Sequence, residues 1–445
     1  MHDLSTTLVA VATAPGRGGV GCVRLSGERA LEIARALFRE SPSPRVPSFG
    51  MLLDDEGRAI DHGFLVEFAH GRSFTGEPSA ELWAHGSPAV LAALVDAALR
   101  RGAVHAGPGE FTYRALRHGR IDLSRAEAIR DLIAARTRHQ ARIAFSQVQG
   151  ATARRLAPLR ERLLDLSAHA EATVEFVDEP EVETSAGILS RGLPEALGTA
   201  RELLQEARRG RVLREGARVA ICGAPSVGKS SIFNRFAGLD RAIVSSVPGT
   251  TRDTLEETID LDGLAVTLVD TAGLRPVDDP VEAEGVRRAR RAASEADLTI
   301  LVLDASREPT ADERVELAAP GSPRLVVANK RDLVPLEASL PHASAVPVST
   351  LTGDGWEDLR RILRRQLDDG DEAEVPALTH ARHVLALERV VAALARGVDA
   401  SSGGLSDEAV LLDLHEALAA LGEITGEVAS EDLYDRIFST FCIGK

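Results

Sequence analysis

The chain predicts an α/β plus α architecture: a small N-terminal α/β domain, a helical domain cut into two stretches, and a second α/β domain lodged in the cut. Two observations carry this reading. Between residues 213 and 375, short apolar runs of strand length alternate with helical patterns, as in a mostly parallel sheet covered on both faces. On either side lie helical stretches that are each too short to make a bundle comfortably but together bury one core. The central domain therefore reads as an insertion whose ends lie close together. The expected divisions are residues 1–120, 121–212, 213–375 and 376–445.

Taken in order, Leu8 to Ala12 is strand-like, a Gly-rich turn follows, and Val20 to Leu25 is strand-like again. Gly16 to Gly21 reads as a plain turn with Arg17 solvated; no helix opens after it, so it is not a dinucleotide-binding fingerprint. Phe64 to Phe68 alternates as a strand does, and Ala89 to Leu99 has helical spacing. Ser124 and Glu127 form a capping box opening a long amphipathic stretch with few breakers before Pro158. A second helical run covers Leu159 to Val174, the acidic loop Asp178-Glu179-Pro180-Glu181 interrupts, and helix resumes from about Leu189 to Arg209. The strand-like runs of the inserted domain are Arg218 to Cys222, Val266 to Val269, Leu298 to Leu303, Leu325 to Ala328 and Val346 to Val348. After an acidic linker at Asp368 to Glu374, helix returns at Thr379 to Arg396, Ser406 to Leu421 and Ser430 to Phe438.

The composition, with 44% hydrophobic and 27% charged residues, is that of an ordinary globular protein. A net charge of −15 argues against broad, charge-driven nucleic-acid binding, which needs a positive face. The run Arg287, Arg288, Arg290, Arg291 reads as a solvated helix face. Cys22, Cys222 and Cys442 are odd in number, widely spaced and without metal-ligand spacing, which points to a reducing compartment. Cys22 and Cys222 sit in apolar runs, as small core residues do. With no membrane-length apolar stretch and no signal-type N-terminus, the chain reads as cytoplasmic.

Lysine occurs only at 229, 330 and 445, against 49 arginines. Two of the three stand in places where a compact charge on a flexible stem does chemistry. Gly223-x4-Gly228-Lys229-Ser230 follows a strand and precedes a helical pattern. That context makes a phosphate loop: backbone amides cradle phosphates, Lys229 reaches the β and γ oxygens, and Ser230 ligates Mg2+. Asp270-Thr271-Ala272-Gly273 ends the next strand, placing Asp270 toward the metal and the Gly273 amide toward the γ-phosphate. Thr250 or Thr251, in Gly249-Thr250-Thr251-Arg252-Asp253, lies where a phosphate-sensing switch threonine belongs. Asn329-Lys330-Arg331-Asp332 selects the base, because a carboxylate accepts both the N1 and 2-amino hydrogens of guanine and adenine offers neither. Ser349 begins the last base-contacting loop. The nucleotide set thus runs through Ser226, Val227, Gly228, Lys229, Ser230 and Ser231; Ser245, Ser246, Val247, Pro248, Gly249, Thr250 and Thr251; Asp270 to Gly273; and Asn329, Lys330, Asp332 and Ser349. Four motifs in this order read as a GTPase of the Ras-like P-loop class.

Leu274 stands where signalling GTPases often carry a water-orienting glutamine, so hydrolysis must use another group or be very slow. Glu282 is the candidate for positioning or deprotonating water, although Asp278, Asp279 and Glu284 share its segment.

With these residues in view, the chain resembles the MnmE (TrmE) family of tRNA-modification GTPases over nearly its whole length. The matching runs are Ala14 to Gly21, Ser73-Phe74-Thr75-Gly76-Glu77, Pro108-Gly109-Glu110-Phe111, Asp122 to Ala128 and, most specific, the tail Phe441-Cys442-Ile443-Gly444-Lys445. The resemblance implies an N-terminal dimerisation domain that binds a 5-formyl- or 5,10-methylene-tetrahydrofolate, a discontinuous helical domain and an inserted G domain. It implies a homodimer that joins an FAD-dependent MnmG (GidA)-type protein in a heterotetramer or larger complex. Together they would install an aminomethyl or carboxymethylaminomethyl group on C5 of the wobble uridine of certain tRNAs. Potassium-dependent pairing of G domains would activate hydrolysis. The family's catalytic acid falls on Glu282, and its folate contacts on Arg24, Glu81, Arg120 (usually lysine) and Lys445. Cys442 is implied to lie near the folate and the modification chemistry, a buried terminal cysteine being the alternative. Magnesium would be held by Ser230 and Thr251. Potassium would be held by Ser226, Ser245, Val247 and Thr250. The family usually has Asn where this chain has Ser226, a shorter and weaker ligand, so potassium activation is expected to persist but to be weaker or less selective.

Two other readings compete: a ribosome-assembly or regulatory switch GTPase without modification activity, and a folate-binding scaffold whose nucleotide site has decayed. Intact Lys229, Ser230, Asp270, Asn329 and Asp332 argue against the second.

Overall fold

The computed structural model describes residues 3–43, 45–175, 182–239, 255–270, 296–318, 323–335, 337, 339–368, 375–403, 407–428 and 430–444. The chain divides into two compact units, one of residues 1–130, 148–153 and 419–445, the other of residues 131–147 and 154–418.

The first unit holds a six-stranded sheet built from β1 (Leu8–Val11), β2 (Gly18–Ser26), β3 (Ser48–Leu53), β4 (Ala59–Phe68), β5 (Ser79–Gly86) and β6 (Val104–His105), in the order β3-β4-β5-β2-β1-β6. Neighbours are antiparallel except β1 and β6, which run parallel. Alternation along the strands sends Val9, Val23, Leu25, Leu65 and Leu82 to one face. There they pack against Ile33 and Leu94 from the helices Ala30–Ala36 and Pro88–Arg100. Pro88 opens its helix at a position whose missing N–H costs nothing.

A buried polar knot closes this unit. Arg114, on the helix Glu110–Arg117, is fully buried and donates to the Thr6 carbonyl at 2.7 Å and to Glu77 at 3.0 Å. Glu77 also accepts from Ser26 Oγ at 2.7 Å. A buried charge must be paired in this way, so the Ser73 to Glu77 run serves the fold. Nearby, the C-terminal helix Glu431–Phe438, capped by Ser430, packs Phe438 and the following Phe441 against Tyr113 and Leu123. Gly109, at φ 65°, permits this seating: a Cβ there would lie 2.9 Å from Phe441 and 3.0 Å from Phe438. The chain end then runs alongside, Ile443 bridging Pro108 and the Gly109 amide donating to the Cys442 carbonyl at 3.4 Å.

The second unit is organised around a sheet of β7 (Ala217–Cys222), β8 (Leu255–Leu261), β9 (Leu264–Asp270), β10 (Leu298–Asp304), β11 (Arg324–Asn329) and β12 (Val346–Pro347), ordered β12-β11-β10-β7-β9-β8. Every pairing is parallel except β8 with β9. The central strands read as continuous apolar runs, and β10 is buried along its whole length. Around them stand the helices Lys229–Leu239, Ala311–Ala318 and Trp356–Leu367; the same unit holds Val182–Glu215, Ala381–Ser402 and all but the last residue of Arg138–Val148. In this unit Asp131 accepts from Arg214 Nε at 2.5 Å and lies 3.0 Å from His380 Nε2. Burial alone would raise that carboxyl, but its bonds to His380 and Arg214 prevail and hold it far below the usual carboxylate range.

Several sequence expectations are corrected here. The helix at Leu123–Ala134 opens before Ser124, and its cap is the Asp122 carboxylate, which accepts from the Arg125 amide at 2.8 Å; Ser124 donates to the same oxygen. Pro158 does not end a helix. It lies inside Ala151–Glu175, near its start, and the chain breaks earlier, at residues 135–137 and at Gly150, which sits at φ 85°. The helix expected from about Leu189 to Arg209 spans Val182–Glu215 and carries Pro194 within it. The Gly16 to Gly21 turn is shorter than it reads, since β2 already begins at Gly18. Strand β8 was not anticipated because Glu256, Glu257 and Asp260 mask its apolar half; its pointer was Asp262-Gly263, both at positive φ, a hairpin dipeptide. Cys22 is buried, but Cys222 is only partly so.

Candidate functional site

The strand order reverses beside β7, and there the loop leaving β7 meets the loops after β10, β11 and β12, the place where open α/β sheets bind ligands. The loop between β7 and the helix Lys229–Leu239 needs glycine at two positions. A Cβ on Gly223 would lie 2.3 Å from the Val302 carbonyl, and one on Gly228 would lie 2.1 Å from Asn329 Nδ2. Both residues also hold left-handed φ, 140° and 102°. Ser226 adopts φ 64° without being glycine, a conformation that asparagine tolerates better than serine.

Lys229 Nζ donates to the carbonyls of Gly223 and Ala224, each at 2.8 Å, so its ammonium stands over the concave side of the loop. Burial pushes the Lys229 ammonium down from its ordinary value, with Asp270 opposing that drift. Such a charge is already partly desolvated and readily compensated by an anion. Ser230 Oγ donates to Asp270 Oδ2 at 3.1 Å, and Asp270 is buried at the end of β9. A hydroxyl and a carboxylate converging beside a phosphate loop are the hard oxygen donors that suit Mg2+.

The residues expected to read the base are joined to the phosphate loop by tertiary contact. Asn329 ends β11; its Nδ2 donates to the Val227 carbonyl at 2.9 Å, and its Oδ1 accepts from the Thr350 amide at 3.2 Å. One side chain thereby ties the phosphate loop to the loop after β12. Ser349 Oγ donates to Asp332 Oδ1 at 2.5 Å, orienting that carboxylate while leaving it acceptor capacity for a base edge. Lys330, at φ 64°, places its ammonium 2.7 Å from Asp304 Oδ2. Arg235, one turn and a half into the helix after the phosphate loop, donates to the Thr350 carbonyl at 2.9 Å and lies over the Trp356 ring. Asp304, Thr350 and Arg235 were absent from the sequence expectation. Only Asp304 had a usable signal there, an acid ending a strand that is apolar but for Thr299.

Of the expected nucleotide residues, Ser226 to Ser231, Asp270, Asn329, Lys330, Asp332 and Ser349 are thus gathered at one end of one sheet. Ser245 to Thr251, Thr271 to Gly273 and Glu282 lie outside the described residues, as do Arg287 to Arg291 and Lys445.

In the first unit, Arg24 and Glu81 face each other across β2 and β5; Arg24 Nε and Nη2 donate to Glu81 Oε1 at 3.0 and 2.9 Å. Trp83 Nε1 donates to Glu81 Oε2 at 3.1 Å, and Arg24 Nη1 reaches the Gly444 carbonyl at 3.5 Å. The chain end is pressed close, since a Cβ on Gly444 would lie 2.3 Å from the Val11 carbonyl. A carboxylate beside a guanidinium suits the donor and acceptor edge of a pterin. Arg120 is exposed, its stem against Gly76, and among the described residues no hydrogen bond or ion pair joins it to that pair. Cys442 is exposed, which removes the alternative of a buried terminal thiol. Among the described residues, no helix is long and apolar enough to cross a membrane.

Comparison with known proteins agrees along the whole chain. The family model for the MnmE helical domain matches residues 123–442, and that for the GTP-binding protein TrmE N-terminus matches residues 7–120. The tRNA modification GTPase MnmE of Xanthomonas euvesicatoria pv. vesicatoria is 44% identical, with 100% of each chain covered. The proteins of the same name from Heliobacterium modesticaldum and Aquifex aeolicus are each 40% identical; the alignments cover 99% of this chain and 99% of the former protein, and 98% of this chain and 99% of the latter. The phosphate-loop geometry and the full-length kinship point the same way: the chain belongs to the MnmE family of tRNA modification GTPases.

Proposed function

We propose that this protein hydrolyses GTP and, with an FAD-dependent MnmG (GidA)-type partner, uses the cycle to drive addition of an aminomethyl or carboxymethylaminomethyl group to C5 of the wobble uridine of certain tRNAs. The observation that carries the nucleotide half is Asn329, whose two amide atoms join the phosphate loop to the base-reading loop. Family membership over the full chain supports the tRNA half. The working domain scheme is a folate-binding and dimerising domain at 1–120, helical parts at 121–212 and 376–445, and a G domain at 213–375.

In this reading Asp332 selects guanine through two accepted hydrogen bonds, and Lys229 with the loop amides neutralises the phosphates. Ser230 and Asp270, with Thr251, hold Mg2+, which when bound offsets charge on the β and γ oxygens. Water attacks the γ-phosphorus and the bond to the bridging oxygen breaks, leaving GDP and inorganic phosphate. Glu282 positions or deprotonates that water when two G domains close on each other, excluding solvent. Ser226, Ser245, Val247 and Thr250 provide the potassium site. The hydroxyl of Ser226 makes it weaker than an asparagine would, so hydrolysis should favour potassium over sodium and rubidium only modestly, and Ser226→Asn should sharpen the preference. Equal rates in all three ions would remove the cation site.

Arg24, Glu81, Arg120 and Lys445 hold the tetrahydrofolate derivative, with exposed Cys442 at its margin. The chain works as a cytoplasmic homodimer. Mass spectrometry of wobble nucleosides from cells lacking this chain tests the function: unmodified uridine supports it, and fully modified tRNA would favour an assembly or switch GTPase instead.

A further inference from the structure

We propose that Asp304 is a positioning residue for guanine nucleotide: it anchors the Lys330 ammonium and thereby holds the bend that sets Asn329 on Val227 and Thr350 and Asp332 on Ser349. The inference rests on the guanine-site reading and assigns a role to a residue outside the four motifs.

Asp304 is the last residue of β10 and pairs in register with Asn329 at the end of β11. Its carboxylate is oriented before Lys330 arrives. Oδ1 accepts from the Ser306 amide at 2.9 Å and from Ser306 Oγ at 2.6 Å, a closed turn within three residues. Oδ2 is left to Lys330 Nζ at 2.7 Å, and Asp304 is only 9% exposed. A charge-assisted bond to a shielded, preset acceptor is a strong one.

Lys330 needs such a tether. It sits at φ 64°, where a side chain with a Cβ is disfavoured. The bend is what the site requires. Immediately before it, Asn329 turns inward to the Val227 carbonyl; two residues later Asp332 meets Ser349. An extended Lys330 would send one of these two side chains away from its partner. With its ammonium fastened to Asp304, the bend persists in the absence of nucleotide. Preorganisation of this kind shows as affinity rather than as chemical rate.

The test is Asp304→Asn in the full-length protein, with a fluorescent GDP analogue for binding and phosphate release for turnover. Asparagine keeps an oxygen for Ser306 and loses the charge. The expected result is an affinity loss of about tenfold for GDP and for GTP alike, carried by faster release, with kcat at saturating GTP and the preference for guanine over adenine unchanged. Lys330→Met supplies the control. If the two residues act as a unit, Asp304→Asn adds no further loss in the Lys330→Met background. Additive losses would mean that Asp304 only supports the local turn, and they overturn the proposal; so does an unchanged affinity, or a fall in kcat with KM constant. Failure of the unmodified protein to bind the GDP analogue would instead bring down the guanine-site reading itself.

Discussion

Gly228→Ala is the sharpest probe of how the nucleotide site is held together. The new Cβ would lie 2.1 Å from Asn329 Nδ2, where unstrained contact needs about 3.5 Å, so one of the two groups must retreat by more than about 1 Å. Asn329 is 1% exposed and tied on both sides, to Val227 and Thr350, and has nowhere to go without breaking its bond to the Val227 carbonyl. Leaving that buried pair unmade costs about 1–3 kcal/mol. The left-handed φ of 102° adds about 1–2 kcal/mol for a residue with a Cβ. The variant can escape by letting the loop adopt another conformation, so the cost falls on the binding-competent state and appears as lost affinity. A total of about 3 kcal/mol corresponds to roughly 100-fold weaker GDP binding. Fluorescence titration measures this, with far-UV circular dichroism showing that the sheet is intact. Binding within about threefold of the unmodified protein, less than 1 kcal/mol, would refute the idea that the loop and the base-reading strand are locked through Asn329.

Asp332→Asn should lower guanine selectivity and shift preference toward xanthine nucleotides, whose 2-oxo group accepts from the new amide; competition among GDP, IDP and XDP measures it, and unchanged selectivity would remove Asp332 as base reader. Glu282→Ala should leave nucleotide affinity intact and cut turnover by about 100-fold or more, the range of a lost general base; equal single-turnover rates would dismiss that assignment. Asp131→Asn breaks a buried pair with Arg214 and His380 and should destabilise at pH 7 by about 3 kcal/mol. Because the folded-state carboxyl is depressed, the native advantage is fully present above the ordinary carboxylate pKa of about 4 and is lost as pH falls toward the lower folded value. Urea midpoints should therefore converge below about pH 4, and a gap that stays constant down to pH 3 would contradict the pairing.

Much of the candidate nucleotide site was legible because the chemistry expected of it is local. Lys229 and Ser230 must follow Gly228 directly for backbone amides, ammonium and hydroxyl to share one anion, and Asp332 must follow Asn329 at a fixed distance for both to act from one bend. The contacts that make those motifs into a site were not legible. Thr350 and Arg235 reach it through a loop carbonyl and a helix face whose meeting depends on how Trp356–Leu367 and Lys229–Leu239 pack. Helix boundaries failed for a related reason. Pro158 was read as a local breaker, yet the helix Ala151–Glu175 runs through it, as apolar burial along its length can outweigh one missing backbone bond. The cap at Asp122 was misplaced by two residues because Ser, Asp and Glu all offer capping oxygens, and only the final backbone path chooses among them.

By itself the order of residues determined that the protein carries a guanine-nucleotide domain inside a helical one, since spacing and side-chain type suffice for a chemistry confined to a few consecutive positions. Tertiary structure alone decided that Asn329 spans two loops, that Asp304 takes hold of Lys330, and that the Arg24 and Glu81 pair meets Gly444 at the far end of the chain. Those partners are separated by tens to hundreds of residues, and nothing in their local sequence encodes the meeting. It follows from burying two sheets and the apolar faces packed on them, which leaves a small number of polar groups able to satisfy one another in only one arrangement.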